Sequence, residues 1–486
     1  MSIIENPAVD DESSRPSPEP SGTPKTKPRN AFVALALRLH FYAGVFVAPF
    51  ILVAALTGAL YSIAPTLESI VDRGLLHMDS SGPARPLADQ VAAAVATRPD
   101  LALNAVAPAQ NPGDTTRVLF TDPSLGESER RAVFVDPATA RPVGDSVVYG
   151  SSGALPMRTW IDQLHRSLHL GEPGRLYSEL AASWLWIVAL AGLVLWWRRV
   201  RSRRERRSVG WLLRPDRSRD GRRRTLNWHG VVGMWVLLPV LFLSATGMTW
   251  STYAGAHIDT LRARLSWTTP AVSSALPGVP APQGTGGEHA EHGGHSMPTS
   301  ASAERIAQLD KVFAVAREHE VSGPLEISIP ASDGVAFVAK ERRLSGQYTQ
   351  DAIAVDGATG AVVDTLRYAD WPLMAKLTNW GIALHMGLLF GLANQLLLLV
   401  TMVALLTVIV RGYLMWWRRR PTRDGFAVGR APHRGVLRRT PVVVVLPVAA
   451  AAVLVGWFAP LVGVSLVGFL IVDVLVGAIR GRAATS

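Results

Sequence analysis

The chain has 486 residues, a mean hydropathy of +0.20, no cysteine and a net charge of +11. The lack of thiols excludes disulfides, thiolate zinc sites, iron–sulfur clusters and cysteine-attached haem. The charge does not point to nucleic acid, because the arginines are crowded beside apolar segments, as they are on the cytoplasmic side of membrane proteins.

In chain order, residues 1–30 are polar and rich in Pro, Ser and acidic residues, which predicts a disordered cytoplasmic arm rather than a cleaved signal peptide. A first membrane span is expected over 31–64, followed by an extracytoplasmic domain over 65–175 with a helix near 87–97 and strands near 117–121 and 131–136. The second span covers 176–198 and the third 227–253. The loop between them, 199–226, is basic: 198–224 holds thirteen arginines and no lysine. A second extracytoplasmic domain is expected over 254–378, with a helix near 303–320, strands near 325–329, 335–340 and 351–355, and a Pro/Gly/His-rich disordered insertion over 270–300. The fourth span covers 379–417, a second basic loop 418–440, and an apolar hairpin over 441–478, turning near Pro460, supplies the fifth and sixth. Each span offers about 20 apolar residues, enough for a hydrocarbon core of roughly 30 Å. The basic loops place both termini in the cytoplasm.

The sequence repeats internally. His40 recurs as His229 and Thr57-Gly58 as Thr246-Gly247, both at an offset of 189. The segment from Val135 recurs from Val355, and Trp196-Trp197 as Trp416-Trp417, both at 220. The change of 31 residues matches the insertion at 270–300. Each copy starts and ends inside, so the copies are parallel repeats and equivalent residues lie at equal depth.

Histidines fall into two layers on this scheme. His40 and His229 lie near the cytoplasmic ends of spans one and three, and His169 and His385 open spans two and four on the outer side. His165 is an i, i+4 companion of His169. Paired imidazoles across facing helices are how a membrane bundle holds b-type haem. Duplicated structural histidines would show the same symmetry. Arg38 and Arg411 have two readings each: a side chain snorkelling to the interface, or a partner for a haem propionate. The loop with His289, His292 and His295 has the spacing for weak, exposed binding of copper, zinc or iron.

Leu39-His40 with Thr57-Gly58, Leu164-His165-Arg-Ser-Leu-His169, Trp228-His229-Gly, and Leu384-His385-Met-Gly before Trp416-Trp417 give the chain a resemblance over about 31–420. It resembles the PepSY-associated transmembrane-helix family, which includes ferric-siderophore reductases and related iron-uptake proteins. The resemblance implies an α-helical polytopic membrane protein of about six transmembrane helices, four from the tandem repeat, with two small α+β PepSY-like extracytoplasmic domains. It also implies an inner or plasma membrane location and two bis-histidine haems b, at His40, His229, His169 and His385, with His165 as a further candidate. The partners implied are the lipid bilayer, an extracytoplasmic metal complex or siderophore, and a cytoplasmic or quinol electron donor. Some relatives carry a fused flavin or nicotinamide domain, whereas here only an apolar hairpin follows Arg439.

Two other function classes remain open at this stage: a haem-free PepSY-type regulatory or binding protein, and a copper- or iron-handling protein using the histidine-rich loop. Against the latter, the spans carry few acidic residues to neutralise a crossing cation, Asp473 being the main candidate. Hydrolase motifs are missing: there is no Gly-x-Ser-x-Gly elbow and no His-Glu-x-x-His helix.

Overall fold

The computed structural model describes residues 28–80, 82–201, 210, 213–218, 220–277, 303–419 and 441–482. Helix α1 (Pro28–Phe46) runs into α2 (Ala48–Val71) through a break at Val47. Pro49 lacks the N–H that would bond the Val45 carbonyl, and the Tyr413 hydroxyl donates to that carbonyl instead, at 2.9 Å. A single turn, α3 (Arg73–Leu76), and an amphipathic helix, α4 (Leu87–Thr97), lead to strands β1 (Ala102–Ala107), β2 (Thr116–Thr121), β3 (Glu129–Asp136) and β4 (Arg141–Tyr149). Helix α5 (Pro156–Ser167) precedes the long α6 (Glu172–Arg201), whose acidic first turn and arginine-rich last turn both complement the helix dipole. The turn between them is tight. A Cβ at Gly174 would collide with the Ser167 carbonyl, so a residue without a side chain is needed for α6 to start there.

The second half begins with α7 (Gly221–Trp235) and α8 (Leu237–Thr249), which meet at 58°. Pro239 accounts for this kink, because it has no N–H for the Trp235 carbonyl. Helices α9 (Tyr253–Arg264), α10 (Ala303–Ala307) and α11 (Leu309–Glu318) follow, then β5 (Leu325–Ser328), β6 (Phe337–Glu341), β7 (Ala352–Val355) and β8 (Val362–Leu366). Last come α12 (Leu373–His385), α13 (Leu392–Trp417), α14 (Val442–Phe458) and α15 (Pro460–Arg482).

Among the described residues four helices are long and apolar enough to cross a membrane, namely Ala48–Val71, Glu172–Arg201, Leu392–Trp417 and Pro460–Ile479, and the bent α7–α8 pair makes a fifth. The expectation of six falls short at α14. Its 17 residues rise only about 25 Å at 1.5 Å per residue. The fourth span also differs from expectation, because 379–417 is not one helix. The chain breaks at 386–391, where Gly387 and Gly391 take positive φ angles of 75° and 54°.

Helix packing explains how the spans face one another. The α1–α2 span packs on α6 and α13, and α7–α8 packs on the same two helices, so the first and third spans face each other across the bundle. Small residues at Ala43, Ala48, Ala55 and Ala181 line this core and let backbones approach closely.

Outside the bundle, all strands join one antiparallel eight-stranded sheet in the order β4-β3-β2-β1-β5-β6-β7-β8. The expected two domains thus share a single sheet, sewn together where Ala105 pairs Ser328 and Val106 pairs Ile327. One face packs beneath α4 and α11, where Leu87, Val91, Leu309 and Val312 cover Val106, Val118, Ile327 and Ile353. The other face carries Leu119 and Phe134, on which Leu155 from the loop before α5 packs. Part of the stretch expected to be disordered is ordered: Ala275 bridges Val335 and the Ser273 N–H donates to Asp364.

A carboxylate also ties the halves. Asp310 on α11 accepts from the backbone N–H groups of Leu87 and Ala88, at 2.6 and 3.1 Å, and so caps α4 from the other half of the chain. Asp310→Ala should therefore cost about 1 kcal/mol, the usual worth of an N-terminal cap, measurable as a lower Tm of the full-length chain in detergent.

Candidate functional site: two histidine layers

The four histidines that face the bundle interior share one local design. On the inner side, His40 Nδ1 lies 3.0 Å from the Val188 carbonyl, and His229 Nδ1 lies 2.9 Å from the Val408 carbonyl. The offsets are again 189 for the histidines and 220 for the carbonyls. A carbonyl only accepts, so each ring carries its proton on Nδ1. The two rings meet across the bundle at a centroid distance of 6.1 Å, nearly perpendicular at 78°.

On the outer side the companions are hydroxyls. Thr57 Oγ1 is 2.9 Å from His165 Nδ1, and Thr246 Oγ1 is 2.7 Å from His385 Nδ1. Each hydroxyl turns its one proton to its own helix, Thr57 toward Val53 and Thr246 toward Phe242. With that proton on its own helix, each hydroxyl is an acceptor for the imidazole, which then bears its proton on Nδ1. In all four rings Nε2 is left with its lone pair and, among the described residues, no hydrogen-bond partner.

Glycines make room for these rings. A Cβ at Gly192 would lie 3.0 Å from His40 Cε1, and one at Gly58 3.2 Å from His165 Cε1. Gly412 and Gly247 hold the matching places beside His229 and His385, at 3.6 and 3.7 Å. Aromatic rings close the outer layer: Tyr61 stacks near His165 at 6.3 Å, and Trp250, its counterpart at offset 189, meets His385 edge-on at 5.2 Å.

The outer layer differs from the sequence expectation in one residue. His165, not His169, is the counterpart of His385. Helix α5 ends at Ser167, and Leu168 and His169 take left-handed φ angles of 52° and 55°. That turn carries His169 away from Thr57, onto the ring of the exposed Trp160 at 4.9 Å. The signal was present in the sequence, because the 220 offset takes His165 to His385 and His169 to Leu389.

The two arginines sit otherwise than as free cations. Arg38 pairs with Asp473 of α15 at 3.1 Å, which anchors the final helix to the bundle. Arg411 lies over the Trp228 ring at 5.9 Å and donates to the Thr407 carbonyl. A further histidine, His257, stacks on Trp457 and bonds the Phe458 carbonyl, again fastening the last hairpin. His289, His292 and His295 lie outside the described residues. Among the described residues no group of three or more His, Asp or Glu side chains is arranged to hold a metal ion by itself.

A sequence model of the PepSY-associated TM region matches residues 37–419. The chain belongs to the PepSY-associated transmembrane family. It is a helical membrane protein of that family, and the match runs from α1 through α13, taking in both histidine layers and the whole sheet. The PepSY-associated region leaves α14 and α15 outside. Among curated proteins none matches the chain significantly.

Proposed function

We propose that this membrane protein carries electrons from the cytoplasmic side to an extracytoplasmic metal complex, such as a ferric siderophore, through two haems b. One is held by His40 and His229 and the other by His165 and His385. The observation that carries this reading is the shared state of the four rings, with Nδ1–H engaged and Nε2 bare. Iron-ligating histidines are oriented in the same way, by an acceptor at the other ring nitrogen.

The inner donor set suits the group. Two imidazoles that share one metal, each through a bond of about 2 Å, stand roughly 6 Å apart between ring centres, and the inner rings are 6.1 Å apart. Bound haem would supply one-electron transfer at each layer. The chain's own residues do the rest. Val188, Val408, Thr57 and Thr246 fix the tautomer and the ring orientation. The apolar core around Val240, Leu398 and Met402 keeps water from the path. From His40 to Thr57 is 17 residues, or about 25 Å of helix, so one layer alone does not bridge a core of roughly 30 Å.

The arginines in the last turn of α6, in the first turn of α7 and just after α13 support this orientation, because basic residues beside spans favour the cytoplasmic side. The electron donor would then be a cytoplasmic reductant or a quinol. A pyridine haemochrome assay of the protein expressed with ample haem should return two haems b per chain. A colourless protein would overturn the reading.

A further inference from the structure

Between the sheet and α5 lies a group of buried and half-buried arginines that the electron path does not use. Arg158, on α5, is only 4% exposed. Its Nη1 stands 3.5 Å from Glu68 and its guanidinium also meets the Tyr61 hydroxyl, while no hydrogen bond of good geometry reaches Nε or Nη2. The other Glu68 oxygen accepts from the Leu155 N–H at 2.7 Å. Arg117 of β2 and Arg342 of the β6 end converge on the loop just before α5, donating to the Gly153 and Ser152 carbonyls at 3.0 and 3.3 Å. A Cβ at Gly153 would fall 2.8 Å from Arg342 and 3.1 Å from Arg117. Arg342 Nε has no hydrogen bond, its nearest carboxylate oxygen being on Glu326 at 4.0 Å. Glu326 is itself held in a two-pronged pair by Arg130, at 2.7 and 3.1 Å.

Four guanidiniums therefore crowd around Glu68 and Glu326, with Asp162 also near Arg158 and Asp114 near Arg117. Burial first, then the charges of Arg342 and Arg158, push the Arg117 guanidinium down to about 9 despite nearby Glu68. Buried cations with unmet N–H groups are costly unless an anion or another acceptor meets them. The open donors on Arg158 are Nε and Nη2, which is the side-on edge of the fork that a carboxylate engages with both oxygens. The repeat does not demand any of this, since the positions matching Glu68 and Arg158 are His257 and Thr378. Arg158 also lies seven residues, two helical turns, before His165 on the same face of α5.

We propose that Arg158, with Arg117 and Arg342, forms a binding site for a carboxylate-bearing anion between the sheet and α5, beside the outer histidine layer. The site stands on the arginines alone; which carboxylate fills it rests on the electron-transfer reading. One source is a carboxylate of the group held by His165 and His385. The other is an anionic metal chelate arriving from outside.

Citrate is a suitable probe, titrated by calorimetry at low salt into the full-length chain in detergent, both haem-free and haem-replete. The haem-free chain should bind one citrate per chain, and Arg158→Gln should weaken binding by about tenfold or more, the loss of one charged bidentate contact. Arg158→Lys should weaken it less, and Arg117→Gln by a few fold. Continued citrate binding by the haem-replete chain assigns the site to an incoming chelate. Exclusion of citrate there, with faster loss of one haem from Arg158→Gln, assigns it to the resident group. If Arg158→Gln is not monodisperse, Arg158→Lys and Arg117→Gln give the same reading. No citrate binding by the haem-free chain, or equal binding by these variants, overturns the site. A colourless protein that still binds citrate through Arg158 keeps the site and removes the haem reading.

Discussion

Replacing His229 with alanine is expected to reduce the haem content from two per chain to one and to stop transmembrane reduction. His229 meets His40 at 6.1 Å across the bundle, and no other described histidine shares that depth. The Val408 carbonyl that His229 bonds lies within α13, where it still serves the helix ladder, so the variant should fold. Loss of an oriented partner of a metal ligand alone typically costs about 10–100-fold. Loss of the ligand should therefore lower the rate at which proteoliposomes with an enclosed reductant reduce external ferric citrate by about 100-fold or more. An unchanged spectrum in His229→Ala would remove the inner layer from the path.

The second large effect separates two neighbours four residues apart. His165→Ala should lose the outer haem, whereas His169→Ala should keep both and transfer electrons at the wild-type rate. His165 is gripped by Thr57 at 2.9 Å and lies against Gly58, while His169 stacks on Trp160 at the surface. The two variants are compared by haem per chain and by the α-band after reduction. Loss of haem in His169→Ala, with retention in His165→Ala, would show that the turn at Leu168 is rearranged when the group binds.

Much of the architecture was legible because the bilayer imposes simple demands. Long apolar runs, arginines at one end and matched offsets brought out the four spans of the histidine bundle and the inner histidine pair. The outer pair differs from expectation because the chain turns out of α5 before His169 and leaves His165 on the helix face beside Thr57. Only the left-handed φ at Leu168 and His169 shows that α5 stops before His169. Thr57-Gly58 and Thr246-Gly247 were visible as repeated letters, but the partners of His40 and His229 are the Val188 and Val408 backbone carbonyls, which any residue supplies. The Arg38–Asp473 pair joins residues 435 apart in sequence, and no local pattern predicts such a contact. Strands β1, β4 and β8 were not expected: β4 and β8 are the exposed edges of the sheet, where the inside–outside alternation is weak, and β1 is rich in Ala and Asn, which are depleted in strands.

The pairing of β1 with β5 has a consequence for how the protein is made. Ala105 waits for Ser328, 223 residues later, which at bacterial-type elongation rates is roughly 10–45 s. During that interval β2, β3 and β4 can zip onto one side of β1, but its other side is an open edge able to recruit a foreign strand. Two more membrane crossings must be threaded before the proper strand emerges. The nascent chain thus passes through a half-finished state, in which a chaperone that shields a single strand edge would raise the yield. By the same logic, two separately expressed halves, divided in the basic stretch after Arg201, carry complementary edges and should reassemble in one membrane.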